Sequence, residues 1–350
     1  MADIRKNAAS LTTTERNNFL RALFLLKHKA SPVAGLSIYD QFVALHGAVM
    51  AVVTAGQTIN FGHWNLAFCP WHREYLRRFE FELQKEVPGV TVPYWDWSNH
   101  TLARQRVFTS AFMGGLVTGN PRPTSTGTFT FNAPSPRPSW YPSTAVGWRI
   151  AGPLQELQYP AGTPNKAQLD ATLHRGSSGE VWPASAAALT RLGRLSVNRP
   201  PYHKMWFFWN QLEAGVPDQG SGEIPTHNAG HRFIGGHMGG AFSPNDAIFW
   251  LHHSNVDRLW AQWQAFQLTQ GAVHPRTADY PPAGQLDPWD NSPIPLGHNL
   301  GDEMWPWVSN PGAYTLEDPS VAPLLAGFPS TPVRKVQDVL DPAVVGYGYA

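Results

Sequence analysis

Histidines fall in two groups of three along this chain, and the two groups constrain the fold more than any other feature. The members are His46, His63 and His72 in the first group and His227, His231 and His253 in the second. Imidazole is a good ligand for copper, zinc, iron and nickel, so two facing triads can hold a pair of metal ions. A fold that uses them must bring the two halves of the chain together.

The residues around the first group predict two helices and a loop. His46 lies in the segment 38–54, whose apolar residues have helical spacing, and His72 opens the amphipathic segment 71–87. Both segments are expected to be helical. His63 follows a glycine between them and is expected in a loop.

The second group predicts two further helices. His227 and His231 are four residues apart, so they share one face of a helix that begins near Thr226 and ends at Gly235. His253 lies in another amphipathic segment. The predicted fold is therefore mainly α, with a four-helix bundle core around the metal pair, long loops and a few short strands.

Other segments complete this expectation. Thr12 and Glu15 form a capping box for a helix that extends to about Lys27. Segments 184–195 and 204–214 are predicted to be helical. The chain is otherwise rich in loop-forming proline and glycine from 98 to 201 and again after 270.

Four motifs resemble the tyrosinase family of type-3 copper proteins. They are Phe-Cys-Pro-Trp-His-Arg-Glu-Tyr-Leu at 68–76, Pro-Tyr-Trp-Asp-Trp at 93–97, His-Asn-Ala-Gly-His at 227–231 and Asn-Asp-Ala-Ile-Phe-Trp-Leu-His-His at 245–253. Their order and spacing match the family, and the resemblance extends from about Leu11 to Tyr349.

The resemblance implies two copper ions, with O2 as co-substrate. It assigns His46, His63 and His72 to copper A, and the other triad to copper B. It further implies ortho-hydroxylation of monophenols and two-electron oxidation of o-diphenols to o-quinones, the chemistry that leads to melanin.

Two positions depart from the family pattern. Many members carry a cysteine two residues before the second copper A histidine, where this chain has Phe61. The only cysteine, Cys69, lies in an apolar run and is expected to be a buried, inert thiol. Ala247 replaces a usual proline, with little expected consequence.

A phenol has a pKa near ~10, so a base is useful for deprotonating it at neutral pH. In the family, an asparagine after the first copper B histidine and an upstream glutamate are proposed to hold a water molecule as that base. Asn228 matches the asparagine. Glu213 is the favoured match for the glutamate, and Glu223 is the alternative.

The resemblance also indicates residues around the ligands and the substrate entrance. They are His252, Arg232, Met238, Ala241 and Phe242. His252 matches a histidine that is normally a neighbour of the ligands and not itself a ligand. Arg232 is a candidate for binding a substrate carboxylate, and Phe242 is a candidate for a side chain that restricts access to copper A.

Three functions remain open at this point. The first is a tyrosinase with both activities, which Asn228 and Glu213 favour. The second is a catechol or o-aminophenol oxidase without significant monophenolase activity. The third is an oxygen carrier resembling a hemocyanin, which the small residues Gly239 and Gly240 disfavour.

Bulk properties limit the remaining possibilities. The net charge is +1 with no basic run, so nucleic-acid binding has no support. One cysteine excludes an internal disulfide framework. The sequence shows no apolar leader and no membrane-spanning stretch, so the expected location is the cytoplasm. This expectation also allows a partner protein that delivers copper or exports the enzyme. The oligomeric state is not predicted.

We expect a single tyrosinase-like catalytic domain over 1–350 with no C-terminal lid domain. Its predicted parts are a copper A half at 38–87, an insertion at 98–201, a copper B half at 204–267 and a loop-rich C-terminal part at 270–350.

Overall fold

A computed structural model describes residues 3–114, 129, 135–143, 145, 147–158, 205, 208–214, 226–269, 280–284, 286, 294 and 296–350. The α-helices are α1 (Thr13–His28), α2 (Ile38–Ala48), α3 (Phe68–Glu86), α4 (His100–Arg106), α5 (Gly152–Gln158), α6 (Thr226–Ile234), α7 (Ile248–Thr269) and α8 (Pro342–Val345). The strands are β1 (Asp3–Arg5), β2 (Val52–Thr54), β3 (Gln57–Ile59), β4 (Thr315–Leu316) and β5 (Tyr347–Tyr349). The predicted helix at 184–195 lies outside these residues.

The mainly helical, bundle-like prediction is confirmed. Helix α3 packs against α1 and α7, α2 packs against α1, and α6 packs against α7. Large aromatic side chains fill the interfaces, as where the rings of Phe79 on α3 and Trp250 on α7 stack. Within the described residues, no helix is long and apolar enough to cross a bilayer.

Capping boxes begin the first two helices. Thr12 accepts from the Glu15 N–H and Glu15 accepts from the Thr12 N–H, as predicted. Ser37 and Asp40 do the same at α2. Each box satisfies two N–H groups that the first helical turn leaves without partners.

The prediction of one helix over 38–54 is wrong at its C-terminal end. Helix α2 ends at Ala48, and Val52–Thr54 pairs antiparallel with Gln57–Ile59 as a hairpin. The two turn residues, Ala55 and Gly56, have φ values of 48° and 76°. Positive φ at both positions is typical of the tight turns that connect such strands, and β-branched side chains favour the strands themselves. Helix α3 likewise begins at Phe68, three residues before the predicted start.

The two ends of the described chain meet. Strand β1 pairs in parallel with β5, with Arg5 opposite Tyr349. Fully buried Arg5 donates to Glu80 at 3.0 Å and to Asp257 at 3.3 Å. Asp257 also accepts from Arg73 at 2.6 Å. A buried ionic cluster therefore ties the terminal strands to helices α3 and α7.

Candidate dinuclear metal centre

Four helices and one loop present the six histidines. Helix α2 carries His46, α3 carries His72, α6 carries His227 and His231, and α7 carries His253. The loop before α3 carries His63.

Two asparagines hold that loop. The Asn60 side-chain oxygen accepts from the His63 N–H at 2.8 Å, and the Asn65 side-chain amide donates to the Asn60 carbonyl at 2.5 Å. These bonds fix the position of His63 without a helix.

The histidine side chains converge as two triangles of Nε2 atoms. In site A, the His46 Nε2 lies 3.1 Å from that of His63 and 3.5 Å from that of His72. In site B, the three Nε2 atoms of His227, His231 and His253 lie 3.0–3.3 Å apart. A metal ion with nitrogen ligands at ~2.0 Å in tetrahedral directions sets those nitrogens about 3.3 Å apart. These separations are close to those that one ion requires.

For three of the ligands, the other ring nitrogen shows that the Nε2 atom carries no hydrogen. The Nδ1 atoms of His46, His72 and His231 face the carbonyl oxygens of Ala241, Phe68 and Met238 at 2.5, 2.9 and 2.6 Å. A carbonyl only accepts, so each Nδ1 must donate the single N–H of a neutral imidazole. The Nε2 lone pairs therefore face one another and repel, unless a cation lies between them.

Burial keeps the imidazoles neutral. Desolvation lowers the pKa of His63 to about 3 and that of His231 to about 4. It also lowers the pKa values of His46, His72, His227 and His253 well below the ordinary histidine value. Neutral imidazole is the form that binds metal, so the six side chains are ready to act as ligands at neutral pH.

Phe68 and Phe249 enclose the two triangles. The Phe68 ring lies 4.8 Å from the rings of His72 and His227, one from each site. The Phe249 ring lies 4.9 Å from that of His46 and 4.1 Å from that of His253, again one from each site. These apolar walls limit the access of water to the space between the sites.

Glu213 holds the loop histidine of site A. It lies in a π-helical turn, Asn210–Ala214, and one carboxyl oxygen lies 2.6 Å from the His63 Nδ1. The other carboxyl oxygen accepts from the Trp64 N–H at 2.8 Å and from the Trp209 indole N–H at 2.6 Å. Burial raises the pKa of Glu213 to about 8, against those two donors, which lower it. Because a metal on the His63 Nε2 places the hydrogen on Nδ1, metal binding favours the ionised carboxylate as acceptor.

Asn228 joins site B to the same turn. Its side-chain oxygen accepts from the His227 Nδ1 at 2.8 Å, and its amide donates to the Glu213 carbonyl at 2.6 Å. The structure therefore brings Asn228 and Glu213 together between the sites. The alternative residue, Glu223, lies outside the described residues.

His252 packs beside site B. One of its ring nitrogens lies within 4.8 Å of the nitrogens of His227, His231 and His253. Its ring lies directly against Gly230 of α6, where an added Cβ would be 2.2 Å from the His252 Cε1. His252 thus occupies the space that a side chain at Gly230 would fill, and it separates α6 from α7.

The loop after α6 contacts the ligands mainly through main-chain carbonyl groups. The carbonyls of Met238 and Ala241 orient His231 and His46, and the Met238 side chain is buried. The Phe242 ring packs against Gly47, where a Cβ would lie 2.4 Å from the Phe242 Cε1. Phe242 has no ring contact with any of the six histidines, all of which are described. Arg232 is exposed on α6.

The departures from the family pattern are accommodated by packing. Phe61 is fully buried, and its ring lies against Gly297, where a Cβ would be 2.3 Å from the Phe61 Cε1. Cys69 is buried, and burial raises the pKa of its thiol well above the ordinary value. A thiol held in this form is unreactive, which agrees with the expectation for Cys69.

Sequence patterns did not indicate several groups that orient or pack against the ligands. The carbonyl acceptors belong to the main chain, so no side-chain pattern indicates them. The two glycines are different, because Gly47 follows His46 directly and Gly230 precedes His231 directly. A glycine beside a ligand inside a helix is a signal of close approach.

Two histidine triads of this geometry in a helical core, buried apart from the partly exposed His231, define a type-3 dicopper protein. Residues 36–266 match the family model described as the common central domain of tyrosinase. The chain belongs to the tyrosinase family and is a type-3 copper oxidoreductase.

Relatives agree with this assignment, and two solved structures share the fold. The chain is 32% identical over 307 residues to a tyrosinase of Streptomyces glaucescens, covering 87% of this chain and 92% of the relative. It is 30% identical over 323 residues to the grixazone synthase of Streptomyces griseus, covering 85% and 93%. A polyphenol oxidase structure from Thermothelomyces thermophila shares the fold with a TM-score of 0.60 at 21% identity, covering 100% of this chain and 89% of that chain. An octopus hemocyanin unit gives a TM-score of 0.53 at 19% identity, covering 99% and 68%.

Proposed function

We propose that this protein is a tyrosinase in the full sense, one that hydroxylates monophenols ortho to their oxygen and oxidises the resulting o-diphenols to o-quinones. The proposal assigns His46, His63 and His72 as ligands of copper A and His227, His231 and His253 as ligands of copper B. Bound copper supplies the redox chemistry with O2 that neither step can proceed without. The histidine geometry supports the ligand set, and one further contact supports the monophenolase step.

That contact is the bridge between Glu213 and Asn228. Glu213 bonds to a ligand of site A, and Asn228 bonds both to a ligand of site B and to the Glu213 carbonyl. The two polar side chains therefore join one ligand of each site through the Nδ1 atoms of His63 and His227.

The side chains of Glu213 and Asn228 keep hydrogen-bonding positions that a water molecule can use. A carboxylate offers about four lone-pair directions, and three donors reach Glu213. The Asn228 amide retains a second hydrogen and its oxygen a second lone pair. We assign to this pair the binding of a water molecule that takes the phenol proton, with Glu213 as the final acceptor. A carboxylate whose pKa burial raises to about 8 is a stronger base than an exposed one.

The apolar walls serve the same reaction. Phe68 and Phe249 contact ligands of both sites, so the surroundings of the ligands are apolar and disfavour bulk water. Exclusion of water strengthens the electrostatic effect of Glu213 on a nearby proton.

One observation favours the second candidate, an oxidase limited to catechols or o-aminophenols. The Glu213 carboxyl already receives the Trp64 N–H, the Trp209 indole N–H and the His63 ring. The two tryptophan donors lower the pKa of the carboxyl against the effect of burial and so weaken it as a base, and catechols ionise more readily than monophenols. An oxygen carrier is less favoured, because Phe242 packs on Gly47 and away from the ligands.

Oxygen consumption by the copper-loaded protein tests the proposal. We expect uptake with p-cresol and with catechol, and none with the copper-free protein. Uptake with catechol or o-aminophenol but not with p-cresol would establish the restricted oxidase. Reversible oxygen binding without turnover of any of the three would establish the carrier.

A further inference from the structure

The residue after the ligand His63 has a strained backbone. Trp64 has a φ of 61°, in the left-handed region that bulky L-residues rarely adopt. The strain is held in place by its surroundings, since the Trp64 N–H donates to Glu213 at 2.8 Å and the Asn65 side chain caps the next turn at the Ala67 N–H. Strain that is maintained in this way is concentrated at functional sites.

The Trp64 side chain is also unfavourably placed for stability. It is 61% exposed, whereas no other tryptophan within the described residues is exposed. Its indole makes no ring contact with a described aromatic side chain, so burial does not offset the cost of the backbone conformation. Trp64 therefore combines a strained backbone with an exposed indole, directly beside a copper ligand. This combination indicates a role in function that offsets its cost in stability.

Trp64 lies on the side where the sites approach solvent. Its neighbour His63 is 6% exposed, whereas the other site A ligands, His46 and His72, are each 1% exposed. In site B, His231 and the adjoining Asn228 are partly exposed.

We propose that Trp64 is a substrate-binding residue, whose indole stacks against the aromatic ring of the incoming phenol at the mouth of the dicopper site. The inference rests on the proposed function, and it adds the residue that selects flat aromatic substrates. A large indole offers area for offset or edge-to-face packing with a phenol ring. Its backbone bond to Glu213 couples the position of this ring to the carboxylate that holds His63.

Binding of p-cresol under argon tests the proposal without turnover. Equilibrium dialysis with copper-loaded Trp64→Gly should give a Kd about fivefold higher than that of the wild type, the range expected for loss of one aromatic pair. Trp64→Phe keeps a ring and should stay within about twofold. Trp64→Asn provides a second ring-free variant, because asparagine tolerates the left-handed conformation.

The steady-state constants give an independent readout. In air, the KM for p-cresol and for catechol should rise with the Kd in Trp64→Gly, while kcat and the KM for O2 stay within about twofold. The melting temperature should be unchanged or higher, because glycine relieves the backbone strain. A purely structural role would instead lower the melting temperature and leave the Kd unchanged.

Phe81→Ala is the matched control, since it removes another exposed ring, one that contacts Arg77 on α3, and should leave the Kd and the KM values unchanged. Wild-type affinity in Trp64→Gly, or equal losses in the Gly and Phe variants, would overturn the proposal. The proposed function fails separately, if wild-type protein binds p-cresol under argon and does not consume oxygen with it in air.

Discussion

The imidazole rings of His72 and His253 stack with their centroids 4.3 Å apart and their planes at 17°. One belongs to site A on α3, and the other belongs to site B on α7. The residue after His72, Arg73, donates to Asp257 one turn beyond His253. The ion pair and the stacked rings therefore hold the same two helices, and helix packing sets the separation of the two sites.

Replacement of Asp257 should release this clamp. Asp257→Asn leaves buried Arg73 without its charge partner, and Arg5 keeps only Glu80. We expect the free energy of unfolding to fall by about 3–5 kcal/mol, measured by urea denaturation of copper-free protein. Glu82→Gln, which removes an ion pair to the exposed Lys85, should change it by less than about 1 kcal/mol. Equal stability of the two variants would show that the clamp contributes little.

Glu213→Gln should separate the two phenol oxidation steps. The amide oxygen can still accept from His63, although its NH2 group then faces the N–H donors of Trp64 and Trp209. Because an amide is a poor base, kcat with p-cresol should fall at least about 100-fold while kcat with catechol falls less than about tenfold. Trp209→Phe is the control, because it removes one donor to the carboxyl and keeps the base. Its ratio of monophenolase to diphenolase activity should match that of the wild type. Parallel loss of both activities in Glu213→Gln, with full copper content, would remove the role of Glu213 as base.

Gly230→Ala should damage site B. The added Cβ would lie 2.2 Å from the buried ring of His252, so α6 or that ring must move. We expect a net loss of about 1–3 kcal/mol in unfolding free energy from overpacking, despite a helix preference for alanine of up to about 1 kcal/mol. Copper content should fall toward one ion per chain. The double variant with His252→Ala should recover part of both losses, and additive effects would contradict the contact.

Gly47→Ala should act on site A instead. Its Cβ would lie 2.4 Å from the Phe242 ring, and Phe242 follows the residue whose carbonyl orients His46. Displacement of that carbonyl should weaken copper binding about 10–100-fold, measured by competition with a chelator. Phe242→Ala in the same chain should restore the affinity. Unchanged affinity in Gly47→Ala alone would show that the loop tolerates the shift.

The copper-free protein should lose stability on acidification. The pKa values of His63 and His231 are about 3 and 4 in the folded protein, below the ordinary value of 6.5. The unfolded chain therefore takes up protons first as the pH falls below 6.5, and each of these histidines costs up to about 2 kcal/mol of unfolding free energy at pH 5. Glu213, whose pKa is raised to about 8, has the opposite sign and loses its contribution as the pH rises from 4.5 to 8. Because six buried histidines oppose one carboxyl, urea denaturation should show lower stability at pH 5 than at pH 7; equal or greater stability at pH 5 would contradict this.

Periodicity and spacing were sufficient to predict the helices that carry the ligands. The pair His227 and His231 lies on α6 within a residue of the predicted bounds, and the capping box at Thr12 begins α1 as expected. The hairpin at 52–59 was missed, because a short apolar run after α2 fits a strand and a helix equally well. Its turn residues, Ala55 and Gly56, were the available signal.

The parts of the site that could not be predicted are those built from main chain and shape. The carbonyls of Phe68, Met238 and Ala241 orient three ligands, yet any residue type supplies a carbonyl. The strained conformation of Trp64 depends on the bond from its N–H to Glu213, a residue that only tertiary structure brings near. Such features depend on the tertiary structure and have no signature in sequence patterns.

The pairing of β1 with β5 affects the order of events during synthesis on the ribosome. The Asp257 carboxylate accepts hydrogen bonds from the hydroxyl groups of Tyr347 and Tyr349, which are translated roughly ninety residues after it. At a translation rate of about 5–20 residues per second, the helices that carry both triads wait several seconds for these last partners. The nascent chain therefore presents all six histidines before Tyr347 and Tyr349 can stabilise the contact between the helices that carry them.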